Sequence, residues 1–261
     1  MGLFETLSAA LREEQPVALV TVIDGPDVGS KLLVRPGYEP LGSLGDEDLD
    51  RVVARDALGE LAAGTSGVRH YGPHGEARQQ DVAVFVESFA PPPHMLIFGA
   101  VDFTAALAKV AKVLGYRVTV CDARPVFATR RRFPMADEVV VDWPQRLLEK
   151  VGPTLGPRDA VCVLTHDHKF DVPAIVAALD TGVGYLGAMG SRRTHADRVE
   201  RLRAEGVGDD GLARVMAPIG LDIGARTPEE TAVSICAEII ALRTGRPAPS
   251  LRTTSGPIHR E

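Results

Sequence analysis

The second half of the chain alternates short apolar runs with amphipathic segments. Five short apolar runs predict β-strands. They span 95–98, 117–121, 138–141, 160–164 and 183–187. Five longer segments carry apolar residues at helical spacing and predict helices. They span 103–114, 144–151, 172–180, 192–205 and 228–244. Strands that alternate with helices through short connections predict an α/β, Rossmann-like parallel sheet with helices on both faces.

The first part of the chain has a different pattern, which predicts a smaller α+β domain. Helices are expected at 3–12 and 46–64, and strands at 16–24, 30–37 and 82–89. The proline-rich segment "APPPH" that follows is a stiff linker and predicts a domain boundary. We therefore expect an N-terminal domain at 1–89, a Rossmann-like domain at 90–247 and, because it is rich in Pro, Ser and Thr, a flexible tail at 248–261.

Composition and charge exclude several function classes. The formal net charge of −6 argues against nucleic acid or an anionic membrane as partner, and no apolar run approaches the roughly 20 residues of a membrane span. The N-terminus lacks the basic start of a secretory signal. Cys121, Cys162 and Cys236 lie in apolar stretches, as buried thiols do in a reducing cytosol. We expect a cytoplasmic protein without a disulfide or metal cluster.

The stretch "FGAVDFTAALAKVAKVLGYRVTVCDARP" is typical of a dinucleotide-binding unit, except at its phosphate turn. The first strand ends at Gly99 and the second before Asp122, the position of the acid that binds ribose. Val101 stands where a second glycine would admit a pyrophosphate. Asp102 is expected to cap the helix, and a phosphate about 5 Å away would be repelled by about 3 kcal/mol at an effective dielectric near 20. NAD(P) binding at this turn is therefore disfavoured.

The stretch "VLTHDHKFD" ends a predicted strand. His166, Asp167, His168 and Asp171 are therefore expected at the carboxyl edge of the sheet, where open α/β folds hold ligands. Histidine with carboxylate could bind a metal or transfer a proton. The alternative is that one histidine caps a loop and the other is exposed, since the two share a face only if the strand extends that far.

The stretch "YLGAMGSRRTHADR" leads from a strand through a glycine turn into a helix that is expected to begin near Ser191. Gly190 frees the backbone, and Arg192 and Arg193 follow at the helix N-terminus. Backbone N–H groups, the helix dipole and two guanidinium groups together predict an anion site. The alternative is that both arginines are solvated and pair with acids such as Asp197.

The stretch "APIGLDIGARTPEE" holds two glycines before the last helix, and its loop is expected to reach the same sheet edge. Asp222 and Arg226 could contact a ligand there, or Asp222 could hold its own backbone. Thr227 and Glu230, with a proline between them, predict a capping box.

These stretches resemble the XdhC/CoxI family. The last three carry its C-terminal signatures, and the altered nucleotide unit is similar to its Rossmann start, so that the resemblance covers roughly residues 90–245. "ALVTVID" and "GSLGDEDLD" match the N-terminal region more loosely. The resemblance implies an accessory factor, typically dimeric, for molybdenum hydroxylases such as xanthine dehydrogenase or CO dehydrogenase. Such a factor binds molybdenum cofactor (molybdopterin), supports its sulfuration and delivers it to the apoenzyme.

Two positions depart from the family pattern. Gly45-Asp46-Glu47 replaces a Gly-Gly-Cys followed by an acid, and the turn after Gly99 replaces Gly-x-Gly-His. The resemblance implies cofactor binding by the residues that do match, together with two at the altered unit. They are Thr165, His166, Asp171, Gly190, Ser191, Arg192, Arg193 and Asp222, with Gly99 and Asp122.

Three functions remain open from the sequence. The first is a non-catalytic maturation factor that carries molybdenum cofactor to a hydroxylase large subunit, with a cofactor-sulfurating enzyme as a further partner. The second is a divergent adaptor that binds protein without cofactor, suggested by the missing cysteine and the altered turn. The third is an NAD(P)-dependent oxidoreductase, suggested by the β-α-β start and Asp122.

Overall fold

A computed structural model describes residues 2–165, 167–256 and 258 of the chain. The chain divides into two compact units, Met1–Pro91 and Pro92–Glu261. Among the described residues, no helix combines the length and apolar character needed to cross a bilayer.

The first unit is built on a five-stranded antiparallel sheet with strand order β3-β2-β1-β5-β4. Its elements are α1 (Leu3–Arg12), β1 (Val17–Asp24), β2 (Lys31–Val34), β3 (Leu41–Ser43), α2 (Glu47–Ala63), β4 (Gly67–Tyr71) and β5 (Val82–Phe89). The buried stripe of α2, which includes Val53 and Ala57, packs with sheet residues such as Val20 and Val84. This unit confirms the α+β character predicted from the sequence.

Strands β3 and β4 were not predicted from the sequence, because both are edge strands without an alternation of apolar and polar residues. β3 has three residues, and in β4 only Tyr71 is buried. A strand of that kind forms because a neighbour offers unpaired backbone groups, which the local pattern does not show.

The second unit is a six-stranded parallel sheet with strand order β11-β10-β9-β6-β7-β8. Its strands are β6 (His94–Phe98), β7 (Arg117–Cys121), β8 (Glu138–Val140), β9 (Ala160–Val163), β10 (Tyr185–Ala188) and β11 (Val215–Met216). Its helices are α3 (Asp102–Val113), α4 (Pro144–Val151), α5 (His168–Leu179), α6 (Arg192–Ala204), α7 (Asp209–Ala213) and α8 (Pro228–Thr244).

Alternate residues of β6 face opposite layers of helices. Met95 and Ile97 pack in the cluster that contains α3 and α8 residues, whereas Leu96 and Phe98 pack in the cluster formed with α4, α5 and α6. Both faces of the parallel sheet are thus covered, as its continuous apolar strands require. The prediction of an α/β fold with helices on both faces is confirmed.

Three elements of this unit differ from the prediction by more than two residues. Helix α5 begins at His168 rather than at 172, because the Asp167 carboxylate accepts a hydrogen bond from the Lys169 amide and caps the helix there. Helix α7 and strand β11 were missed, since five and two residues are too few to show a period.

The capping box of α8 is confirmed. The Thr227 hydroxyl accepts from the Glu230 amide at 3.2 Å, and the Glu230 carboxylate accepts from the Thr227 amide at 3.0 Å. The two residues therefore satisfy each other's amide groups at the helix N-terminus.

We expect Thr227→Ala to lower the free energy of unfolding by about 1 kcal/mol, because the Glu230 amide loses its acceptor. Urea unfolding measures this change. Thr231→Ala, one turn later, removes no cap and should leave stability unchanged. Equal losses in the two variants would contradict the assignment of the cap.

Candidate functional site

The carboxyl ends of β6, β7, β9 and β10 lie level at one edge of the parallel sheet. Phe98 of β6 pairs with Val163 of β9 and Cys121 of β7, and Val163 pairs with Ala188 of β10. From β6 the strand order runs through β7 to β8 on one side, and from β9 it runs through β10 to β11 on the other. Ligands of open α/β sheets bind at the switch point between two such halves. The residues that follow these four strands therefore form the candidate site.

Gly99 makes the closest approach at this switch point. Its φ is +110°, and a Cβ there would lie 2.8 Å from Thr165 Cγ2 and 3.0 Å from the Thr165 amide nitrogen. The turn after β6 and the end of β9 are thus in contact, and only glycine permits both the backbone angle and the distance. Two predicted site residues, Gly99 and Thr165, are brought together here.

Asp122 lies after β7 as predicted, but both of its carboxylate oxygens already accept hydrogen bonds from other residues of the chain. Oδ1 accepts from the amide and Nε of Arg124, both at 2.9 Å, and Oδ2 accepts from the Ala100 amide and Arg124 Nη2, both at 2.8 Å. Burial alone would raise the pKa of Asp122, but the hydrogen bonds from Arg124 and Ala100 outweigh it and hold the pKa below its usual value.

The expected cap of α3 is corrected by the structure. Val101 is the N-cap, with an extended backbone and no side-chain hydrogen bond, and Asp102 is the first helical residue. The Asp102 side chain is 90% exposed and lies 3.5 Å from Arg132 Nη2. In bulk water, with a dielectric near 80, it would repel a phosphate about 5 Å away by about 1 kcal/mol rather than about 3. The obstacle to a dinucleotide therefore lies more in Val101 and the occupied Asp122.

A buried ion pair joins the ends of β9 and β10. The Thr165 hydroxyl donates to Asp171 Oδ1, while Arg198 Nη2 donates to Asp171 Oδ2 at 3.0 Å and to the Met189 carbonyl at 2.7 Å. The two charged side chains are only 3–4% exposed. Predicted residues from β9 and α5 are thus linked to α6 and to the turn that precedes it.

Arg198 was missed by the sequence analysis. A signal was present, because Arg198 and Leu202 lie four residues apart and are the buried positions of α6. An arginine on the apolar face of a helix indicates a buried carboxylate partner.

The residues of the predicted anion site lie in the turn before α6 and at the start of that helix. Ser191 is the N-cap and accepts from the Thr194 amide at 3.1 Å, and Gly190 adopts a φ of +146°. Arg192 and Arg193 are exposed, and no ion pair joins either to Asp197 or to another acid in the described part of the chain. Two guanidinium groups therefore stand at the positive end of the α6 dipole.

The remaining predicted residues are placed as follows. Asp222 is exposed in the loop before α8, and hydrogen bonds from that loop to Ser234 and Glu238 hold the loop against the helix. Within the described residues, no hydrogen bond or ion pair joins Asp222 to Thr165, Asp171 or Arg198. His168 is exposed at the start of α5. His166 lies outside the described residues.

The three cysteines are buried as predicted. Burial raises the pKa of Cys121 to about 12 and that of Cys236 to about 11, and raises the pKa of Cys162 well above its usual value. None is an activated thiolate.

Across residues 2–165, 167–256 and 258, no cluster of three His, Cys, Asp or Glu side chains could hold a metal ion.

Asp46, in the segment where the family cysteine is missing, has a structural use. Its Oδ1 accepts from the Leu49 amide at 3.0 Å to cap α2, and its Oδ2 lies 2.8 Å from His74 Nδ1. These two partners hold the pKa of Asp46 below its usual value, and Asp46 in turn raises the pKa of His74. A carboxylate thus caps the helix at this position.

Comparison with known proteins gives consistent matches. The XdhC Rossmann domain matches residues 95–239, and the XdhC and CoxI family matches residues 10–72. A probable xanthine dehydrogenase component of Bacillus subtilis is 35% identical over 164 residues, covering 63% of this chain and 47% of that protein. The molybdenum cofactor insertion chaperone PaoD of Escherichia coli is 27% identical over 159 residues, covering 61% of this chain and 43% of that protein.

The chain spans about half the length of the curated relatives it matches. A crystal structure of a xanthine dehydrogenase from Bacillus halodurans aligns with 96% of this chain and 98% of that one, with a TM-score of 0.55 and 22% identity. At that identity the likeness shows the fold.

The contact between Gly99 and Thr165 predicts a difference between two glycine variants. Gly115 also has a positive φ, +81°, but nothing lies within 4 Å of its Cβ position. Gly115→Ala should cost about 1 kcal/mol from backbone strain alone, whereas Gly99→Ala should cost about 3 kcal/mol because a clash is added. Chemical denaturation of both variants tests this, and equal losses would show that the close approach is unimportant.

The buried ion pair predicts a large loss of stability when it is broken. Arg198→Ala leaves the Asp171 carboxylate without its guanidinium partner in a desolvated position, so the free energy of unfolding should fall by about 3–5 kcal/mol. Arg201→Ala, on the exposed face of the same helix, serves as the control and should change it by less than about 0.5 kcal/mol. A loss below about 1 kcal/mol for Arg198→Ala would contradict the role assigned to the pair.

Proposed function

The chain belongs to the XdhC and CoxI family, and from this premise we propose that it is an accessory factor that binds molybdenum cofactor and delivers it to a molybdenum hydroxylase. The names of two relatives support this role, since one is a molybdenum cofactor insertion chaperone and the other a probable component of xanthine dehydrogenase.

The observation that carries the proposal is the arrangement before α6. Arg192 and Arg193 stand exposed and, among the described residues, without a carboxylate partner at a helix N-terminus beside the switch point. A pterin cofactor carries a phosphate, and a helix N-terminus with two guanidinium groups is suited to bind it. The buried Asp171–Arg198 pair stabilises this arrangement. Arg198 donates to the Met189 carbonyl and so fixes the turn between β10 and α6.

The role we propose is binding and delivery rather than catalysis. A covalent step on the cofactor would need an activated nucleophile, and the raised pKa values of the three buried cysteines argue against one among them. We propose the large subunit of a molybdenum hydroxylase as the partner that receives the cofactor, and a cofactor-sulfurating enzyme as a second partner. We also propose that the protein acts as a cytoplasmic homodimer, with domains at 1–89 and 90–247.

A second candidate is a protein-binding adaptor without cofactor. Two observations favour it: Asp46 caps a helix where the family cysteine is missing, and the acceptor positions of Asp122 are used by its own chain. Under this hypothesis the scaffold persists for contact with a hydroxylase. The occupied Asp122 argues against the NAD(P)-dependent oxidoreductase.

The test is a cofactor titration of the purified protein. Anaerobic mixing with molybdenum cofactor is followed by gel filtration, and pterin in the protein peak is measured by its fluorescence after oxidation. We expect near-stoichiometric pterin with the unaltered chain. An absence of pterin from a folded protein would overturn the cofactor role and favour the adaptor, which co-purification with a hydroxylase would then test.

The same titration locates the site. The double variant Arg192→Ala, Arg193→Ala should bind about a hundredfold less tightly, because two charge-assisted hydrogen bonds are lost. Its melting temperature should stay within a few degrees, since both side chains are exposed. The matched control, Arg201→Ala with Arg203→Ala, removes the same charge from the other end of α6 and should bind like the unaltered chain. Equal affinity in the two double variants would exclude the α6 N-terminus.

A further inference from the structure

Arg124 occupies the position at which a Rossmann-like unit receives a nucleoside. In such units the acid after the second strand accepts the ribose hydroxyl groups. Here that acid, Asp122, receives four hydrogen bonds from within the chain, three of them from Arg124. A carboxylate offers about four acceptor positions, so a ribose could bind only after the guanidinium had left.

Other contacts hold Arg124 in this position. Its guanidinium lies over the Phe127 ring at 4.6 Å, and that ring also lies 5.6 Å from the guanidinium of Arg132. Arg132 Nη1 in turn donates to the Ala100 carbonyl at 3.1 Å and to the Phe127 carbonyl at 3.5 Å. The segment 124–132 is therefore fastened to the turn after β6. Withdrawal of Arg124 would disturb a ring contact as well as the bonds to Asp122.

The neighbouring turn adds a second obstacle. Val101 places a branched side chain where the backbone would have to approach a pyrophosphate, and Asp102 adds a negative charge at the first position of α3. The turn therefore weakens the binding of a pyrophosphate but does not occupy the nucleoside position, whereas the α6 end presents two exposed arginines without an acidic partner among the described residues.

We infer that Arg124 is a specificity-determining residue that closes the nucleoside position, so that the site accepts a pterin cofactor ending in a phosphate and rejects a form that carries a nucleoside. The second half of this inference rests on the proposed function. The first half, closure of the nucleoside position by Arg124, stands on the geometry around Asp122 and is tested separately.

NAD⁺ serves as the dinucleotide probe for that closure. Its binding is followed by NMR at the Ala100 amide, which donates to Asp122 and reports on this end of the site. We expect no saturable shift in the unaltered chain at millimolar NAD⁺, and binding at least tenfold tighter in Arg124→Ala. The control Arg131→Ala removes an exposed arginine from the same segment and should behave like the unaltered chain. Saturable NAD⁺ binding by the unaltered chain, or no gain in a folded Arg124→Ala, would overturn the inference.

A second measurement needs no variant. The unaltered chain is offered an equimolar mixture of the phosphate-ending cofactor and its nucleoside-bearing form, and the retained pterin is identified after gel filtration. At least tenfold enrichment of the phosphate-ending form is expected. Equal retention or preference for the nucleoside-bearing form would overturn the inference and leave the proposed function intact. Retention of neither form would overturn the proposed function, while the NAD⁺ titration would still decide the role of Arg124.

Discussion

The buried ion pair between Asp171 and Arg198 is the interaction on which the sheet edge depends. It joins the first turn of α5 to the middle of α6, and Arg198 also holds the carbonyl of Met189 at the end of β10. A charge pair in a desolvated position is held in one geometry, because each partner that turned away would leave the other's buried charge less well compensated. The turn from Met189 to Ser191 is therefore also held in one geometry, because Arg198 is bonded to the Met189 carbonyl. A rigid turn can present Arg192 and Arg193 to a ligand at little further cost in conformational entropy.

The other end of the same edge shows how a nucleotide fold can be kept while its usual contacts are changed. Gly99 retains the close approach to Thr165 that the switch point requires, and Asp122 retains its position after β7. The chain then uses that carboxylate for Arg124, whose hydrogen bonds hold it charged despite its burial. The result is a site that is asymmetric in charge: one end is internally neutralised and the other has cations without a partner among the described residues.

The N-terminal unit illustrates a related substitution. In the segment where the family pattern has a cysteine, this chain has the N-cap carboxylate of Asp46, whose charge is favoured by the hydrogen bond from the Leu49 amide and by His74. Thiolate chemistry in the described chain would have to come from the three buried cysteines, and their raised pKa values oppose it. Both features agree with the role in binding and delivery that is proposed above.

The sequence alone determined the α/β architecture, most helices and strands of the second unit, the capping box at Thr227 and the burial of the cysteines. These features follow from local periodicity and local hydrogen bonds, which depend on residues that are close together in the sequence. It did not determine the edge strands β3, β4 and β11, because these short or polar strands form by pairing with the free backbone groups of a neighbouring strand and show no period of their own. Nor did it reveal the partners of Asp122 and Asp171. An acid after a strand looks the same whether it is open to a ribose or already bound by an arginine, and only the tertiary structure, by bringing Arg124 and Arg198 to these carboxylates, decided between the two.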